Sequence, residues 1–209
     1  MKKLIISGCG TEVGKTVVSA IFTTLLQADY WKPIQCGTEE DLDSNVIKKL
    51  LDMSQHQVHP PSYSLKGCLS PHHAARLANV KIELEQVKLP SVKRTLIIET
   101  AGGVLVPLTE KEVILDLFAK WDAHWVVVSK HYLGSINHTL LTIEALKHRG
   151  VSILGIVFNG ENPDSEKAIL EISKLPFLGR LLPEKEINQP IIKKYVEQWQ
   201  TQLSHLIPC

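Results

Sequence analysis

Cysteine, methionine and aromatic residues are scarce in this chain, and long apolar runs are missing. Its 209 residues include four cysteines, two methionines and 6% aromatics. Cys9, Cys36, Cys68 and Cys209 show no paired spacing, which speaks against a disulfide framework or a zinc site and for reduced thiols in a cytoplasmic protein. His56/His59 and His72/His73 look like ligand doublets, but no cysteine or further histidine cluster supports them, so they read as surface or loop histidines. No apolar stretch approaches the roughly 18 residues of a membrane span. Lys2-Lys3 followed by Leu-Ile-Ile resembles the start of an export signal. Gly8 and Gly10 cut that apolar core short, and no small-residue cleavage site follows. Charge of one sign is lacking too: 23 Lys and Arg face 22 Asp and Glu, a net charge of +1 with no basic block. Nucleic acid and anionic membrane are therefore not expected as partners. The hydrophobic share of 44% and charged share of 22% are ordinary globular values. The length suits one well-buried domain over residues 1–209 and is short for two.

The most informative stretch is the first seventeen residues. Lys3 to Ile6 is a short apolar run expected to form a buried strand, and a helical stripe starts at Val17. Between them lies Gly8-Cys9-Gly10-Thr11-Glu12-Val13-Gly14-Lys15-Thr16. A strand feeding a glycine-rich turn that ends in Gly-Lys-Thr at a helix start is a phosphate cradle. Backbone N–H groups converge on phosphate oxygens, the helix start adds partial positive charge, and Lys15 is expected to reach the β- and γ-phosphates. The Thr16 hydroxyl is placed for Mg²⁺. The loop departs from the strict consensus, since Cys9 stands five residues before Gly14, with glycines on either side. A chance Gly-Lys-Thr in an ordinary turn fits less well, because strand, loop and helix fall in order.

Strand and helix patterns then alternate. Helices are expected over 16–27, 41–53, 70–78, 82–87, 112–121, 136–148, 165–174 and 188–203; strands over 30–35, 95–98, 124–128, 152–158 and 177–182; residues 56–71 read as loop. The apolar strands imply burial on both faces, hence an α/β fold with a parallel sheet wrapped by helices. In such a sheet ligands bind beyond the carboxyl ends of the strands, so the polar residues closing each strand matter most. They are the phosphate loop, Lys32, Glu99, the Gly134-Ser135-Ile136-Asn137 turn, and Asn159-Gly160. Glu99 after Leu96-Ile97-Ile98 sits where an acidic Mg²⁺ ligand would, and Ala101-Gly102-Gly103 lets backbone approach phosphates. Asp43 is equally readable as a helix N-cap or a site residue. Lys32, held extended by Pro33, either neutralises a phosphoryl transition state or lies at the surface.

Three blocks together resemble dethiobiotin synthetases of the P-loop superfamily: Gly10-Thr11-Glu12-Val13-Gly14-Lys15-Thr16, Lys32-Pro33-Ile34-Gln35-Cys36-Gly37, and Glu99-Thr100-Ala101-Gly102-Gly103. Ser70-Pro71-His72, Leu133-Gly134-Ser135-Ile136-Asn137-His138 and Asn159 add to the match, which runs in order from residue 4 to about 185. The resemblance implies a three-layer P-loop NTPase fold with a mostly parallel sheet of about seven strands, working as a homodimer. It implies joining of CO₂ to 7,8-diaminononanoate with ATP and Mg²⁺, through a carbamate whose attack on the γ-phosphate precedes ring closure by the second amine.

By the same resemblance, Lys15 and Lys32 stabilise the transferring phosphoryl group, and Lys32 also holds the carbamate. Thr16, Asp43 and Glu99 hold Mg²⁺. The nucleotide would touch Glu12, Val13, Gly14, Lys15, Thr16, Val17, Asp43, Glu99, Thr100, Ala101 and Gly102, with Asn159, Gly160 and Pro183 around the adenine. The substrate would meet Thr11, Lys32 and Cys36, with its carboxylate at Gly134, Ser135 and Asn137 across the dimer interface. Three departures stand out. Cys36 replaces the usual Ser or Thr and is the weaker donor. Thr100 replaces a glycine, adding a side chain near the phosphates. The link from the first helix to Lys32 is short. Rival readings fit less well. A partitioning or septum-placement ATPase carries a second lysine near the loop start, where this chain has Ser7-Gly8-Cys9, and the 195–209 tail has no cationic face. A glutamine-dependent amidoligase needs a glutaminase domain for which there is no room. A binding-only protein would not be expected to keep Lys15, Thr16, Lys32 and Glu99 together.

Overall fold

The computed structural model describes residues 3–38 and 42–203. The expected helix start at Asp41 and the tail beyond residue 203, with Cys209, lie outside the described residues. Seven strands form one parallel sheet: β1 (Lys3–Gly8), β2 (Asp29–Trp31), β4 (Val58–His59), β6 (Leu96–Glu99), β7 (His124–Lys130), β8 (Ser152–Asn159) and β9 (Phe177–Leu181). Their order is β4-β2-β6-β1-β7-β8-β9. Ile5 lies opposite both Ile98 of β6 and Trp125 of β7, so the most apolar strands occupy the centre.

Alternation along these strands builds two cores. Ile5, Leu96, Ile98, Trp125, Val127, Ile156 and Phe158 face one side, against α3 (Pro71–Leu77), α4 (Ile114–Phe118), α5 (Ser135–His148) and α6 (Pro163–Ser173). Leu4, Ile6, Ile97, Val126, Val128 and Val157 face the other, against α1 (Lys15–Leu25), α2 (Asp43–Leu50) and α7 (Gln189–Leu203). This is the expected wrapped parallel sheet.

Four expectations need correction. The single strand over 30–35 is two, because Pro33 has no N–H for a ladder. After Trp31 the chain leaves the main sheet, and β3 (Ile34–Gly37) pairs in parallel with β5 (Tyr63–Lys66) in a separate two-stranded sheet. The 56–71 loop therefore holds two short strands, β4 and β5. Tyr63-Ser64-Leu65-Lys66 buries only Leu65, a weak period-two signal over four residues. The helix over 82–87 is a three-residue 3-10 turn, Leu84–Gln86. Its buried Ile82 and Leu84 are two residues apart, an extended rather than helical spacing, and Pro90 follows closely. The helix over 112–121 shrinks to α4. Its start is fixed by Asp116, whose carboxylate accepts from the Val113 N–H at 2.8 Å.

The C-terminal helix closes the α1 face. Trp199 is 2% exposed and packs on Phe22 with centroids 5.8 Å apart. Gly179 of β9 makes this possible: a Cβ there would lie 2.7 Å from Trp199 Cζ2. Gly179→Ala should therefore lower unfolding free energy by about 1–3 kcal/mol, an overpacking cost. Urea denaturation followed by tryptophan fluorescence measures it; an unchanged midpoint would show that the indole moves freely.

Candidate active site

β2, β6 and β1 are neighbours, so the residues leaving their carboxyl ends meet at one edge of the sheet. From β1 the chain passes through Cys9–Gly14 into α1. Gly14 is the helix N-cap with φ 100°, a left-handed conformation suited to glycine. A Cβ there would also lie 2.8 Å from Asn159 Nδ2. The loop is held by two neighbouring strands: the Cys9 N–H donates to Val128 O at 3.2 Å, and the Asn159 amide donates to Val13 O at 3.0 Å. Lys15 folds back to donate to Gly10 O at 2.7 Å.

Beside the loop stands a buried charge cluster. Lys32 Nζ lies 2.5 Å from Asp43 Oδ2 and 2.9 Å from Glu99 Oε1. The Thr16 hydroxyl lies 2.7 Å from Asp43 Oδ1 and 3.0 Å from Glu99 Oε1. Ser19 and Tyr30 donate to the other Glu99 oxygen at 3.0 and 2.9 Å. Lys32 is 6% and Glu99 1% exposed. Asp43 is the first residue of α2 rather than its N-cap, which is Leu42, so the carboxylate turns to Thr16 and Lys32.

The two lysines differ electrostatically. Burial would depress the Lys32 ammonium, but Glu99 and then Asp43 outweigh it and raise its pKa. Burial also opposes the Asp43 carboxylate, yet Lys32 holds it below the usual range. Lys15 lacks a carboxylate contact: burial, then the Lys32 charge, lowers it to about 8. Burial raises the Tyr30 phenol well above its ordinary value, with Glu99 adding to the effect, so it stays a neutral donor.

The remaining expected site residues lie around this edge. A Cβ at Gly102 would be 3.5 Å from the Thr11 hydroxyl, and one at Gly103 would be 3.7 Å from Gly8 O, so the 100–103 turn lies against the loop. Thr100 is fully buried, and its hydroxyl folds back to Gly102 O at 3.3 Å rather than projecting as an open side chain. Glu12, with φ 56°, and half-buried Val17 flank the loop, and Ala101 is half-buried beside it. Cys36 is packed against the apolar core, and burial raises its thiol to about 11. Ser135 is buried at the start of α5, while Gly134 and Asn137 are exposed. Tyr132, just before them, interacts with Cys9 of the loop and accepts or donates at 2.8 Å with His138 Nδ1. The Gly160 N–H donates to Leu181 O at 2.9 Å, and exposed Pro183 follows β9. Ser19 and Tyr30 were missed in the sequence. Their only signals were spacing, three residues after Thr16 and two before Lys32.

The loop and fold define a P-loop nucleotide-binding protein, and the chain belongs to the AAA domain family (AAA_26), whose model matches residues 2–191. Within it, the chain is a member of the dethiobiotin synthetase family. It is 48% identical over 199 residues to the ATP-dependent dethiobiotin synthetase BioD of Chlamydia pneumoniae, covering 95% of this chain and 90% of that one. It is 49% identical to the protein of the same name from Cytophaga hutchinsonii, covering 93% and 95%. Among solved structures, a plasmid partition protein of Borrelia burgdorferi bound to AMPPNP shares the fold at TM-score 0.60 and 13% identity, over 97% of this chain and 96% of that one. The cell division ATPase MinD of Pyrococcus furiosus does so at TM-score 0.57 and 18% identity, over 98% and 91%.

The low Lys15 pKa has a measurable consequence. As pH rises past about 8 the free ammonium loses its proton, whereas a bound polyphosphate favours the charged form. Triphosphate affinity should fall on that side, and binding near about pH 9 should take up protons that binding near about pH 6.5 does not. Calorimetry in two buffers of different ionisation enthalpy reads the uptake; equal heats at the higher pH would contradict it.

Proposed function

We propose that the protein carries out ATP- and Mg²⁺-dependent carboxylation and ring closure of 7,8-diaminononanoate with CO₂, giving dethiobiotin, ADP and phosphate as the penultimate step of biotin biosynthesis. The observation that carries this reading is the Lys32 ammonium, buried between Asp43 and Glu99 at the rim of the phosphate loop. The relatives from Chlamydia pneumoniae and Cytophaga hutchinsonii, both named ATP-dependent dethiobiotin synthetases, support it. Three anionic groups must approach one another in this reaction, namely the triphosphate, a carbamate and the substrate carboxylate. Only concentrated positive charge and oriented amides make that approach favourable.

Asp43, Glu99 and Thr16 are proposed to hold Mg²⁺. Two carboxylates and a hydroxyl meeting at one place fit a hard cation, and the Lys32 ammonium supplies positive charge there. Among the described residues no three His, Cys, Asp or Glu form a metal-binding group, so phosphate oxygens and water would complete the shell. When bound, Mg²⁺ supplies neutralisation of β- and γ-phosphate charge. Backbone N–H groups of the loop orient the triphosphate, and Lys15 stabilises the transferring phosphoryl group. Lys32, kept charged by its carboxylates, holds the carbamate formed when one substrate amine takes up CO₂. The carbamate oxygen attacks the γ-phosphorus and ADP leaves. The second amine then attacks the carbamate carbon, and phosphate departs as the cyclic urea closes.

Gly134, Ser135 and Asn137 are proposed to take the substrate carboxylate at the α5 N-terminus, where N–H groups favour an anion. Cys36, a protonated thiol, would make a weak contact at most. Asn159, Gly160 and Pro183 are proposed to surround the adenine. The working unit is proposed to be a cytoplasmic homodimer of one-domain chains. Leu133 is fully exposed, and Leu141 and Tyr132 are 58% and 45% exposed, giving the α5 face apolar surface for a second copy. No helix among the described residues is long and apolar enough to cross a membrane.

Phosphate release should require both the diamine and bicarbonate. ATP turnover with neither, stimulated by DNA or lipid, would instead favour a partition-type switch. Lys32→Ala should leave nucleotide affinity within a few-fold and lower ring closure by about 100-fold or more. An undiminished rate would remove Lys32 from the chemistry.

A further inference from the structure

Glu99 has four side-chain polar partners within hydrogen-bond distance, and they divide by oxygen. Oε1 faces the Thr16 hydroxyl at 3.0 Å and the Lys32 ammonium at 2.9 Å. Oε2 faces the Ser19 hydroxyl at 3.0 Å and the Tyr30 phenol at 2.9 Å. The two pairs are stacked by the periodicity of their own elements. Ser19 lies one helical step behind Thr16 on α1, and Tyr30 lies two residues behind Lys32 on the same extended chain. The inner pair, Ser19 and Tyr30, has no exposed surface, whereas Thr16 is half-buried at the loop rim. Turning the Glu99 carboxylate would strand two buried hydroxyls with no other side-chain partner in the core.

We propose that Tyr30 and Ser19 are positioning residues that pin Oε2 of Glu99 on the buried side, so that Oε1, the oxygen beside Thr16 and Lys32 at the phosphate loop, is the one a cation would meet. A carboxylate restricted to a single oxygen suits the small octahedral Mg²⁺. Ca²⁺ accepts carboxylates through both oxygens and tolerates irregular shells. The arrangement is thus a selectivity device for the ion that accompanies the nucleotide. It rests on the proposed role of Glu99 as a Mg²⁺ ligand. The Tyr30 ring also packs in the α1-side core, so removing its hydroxyl alone separates the hydrogen bond from the packing.

The test is calorimetric binding of a non-hydrolysable ATP analogue to the full chain, with Mg²⁺ or Ca²⁺, for wild type, Tyr30→Phe, Ser19→Ala and Glu99→Gln. The expected result is that Tyr30→Phe and Ser19→Ala each reduce the preference for Mg²⁺ over Ca²⁺ by about 10-fold, the scale of outer-shell effects on metal sites. Binding of the analogue without metal should stay unchanged. Should Tyr30→Phe fold poorly, Ser19→Ala carries the same measurement. A wild-type Mg²⁺-to-Ca²⁺ ratio in the folded variants, or equal losses with both ions, overturns the proposal. If Glu99→Gln collapses metal-dependent binding while those variants keep the wild-type ratio, only the positioning role fails. If Glu99→Gln itself binds like wild type with both ions, the reading of Glu99 as a ligand fails and this inference with it.

Discussion

One buried ammonium shared by two carboxylates is the constraint to which the rest of the site is fitted. Lys32 neutralises charge that would otherwise be costly inside the protein, and each carboxylate in return keeps Lys32 protonated. Lys15 shows what the same crevice does to a lysine without that contact. Its partner is a neutral carbonyl, and burial, then the neighbouring Lys32 cation, lowers its pKa. The two lysines of the site are therefore not equivalent. One is a fixed charge, and the other becomes fully charged most readily beside an added anion.

The strand order serves this cluster. With β6 between β2 and β1, Glu99 rises between Lys32 and the phosphate loop, and α1 carries Thr16 and Ser19 past both. A plasmid partition protein and a cell division ATPase share that scaffold at 13% and 18% identity, so the scaffold leaves the reaction open. Family membership rests on close sequence relatives, and the chemical reading rests on the particular groups gathered at the sheet edge.

The parts legible in the sequence were those with a strong local signal. Continuous apolar strands announced the parallel sheet, and the glycine-rich turn before Lys15 announced the cradle. Glu99 was legible because an acid closing a buried strand is conspicuous. The small β3–β5 sheet was not, since its strands are four residues each and Pro33 lies inside what otherwise looks like one run. Asp43 reads equally as a cap or a site residue in the sequence; in the structure it is not the cap and lies against Thr16 and Lys32. Tyr30 and Ser19 were hidden because one polar group in an apolar stripe reveals nothing about what it faces; only the packing of α1 on β2 and β6 brings them to Glu99.

The bond from Asn159 to the Val13 carbonyl bears on the direction of a peptide plane. A trans peptide points its C=O and N–H to opposite sides. Fixing the Val13 oxygen against β8 therefore also fixes the direction of the Gly14 hydrogen. The end of β8, 146 residues away in the chain, thus sets the orientation of one peptide plane of the loop.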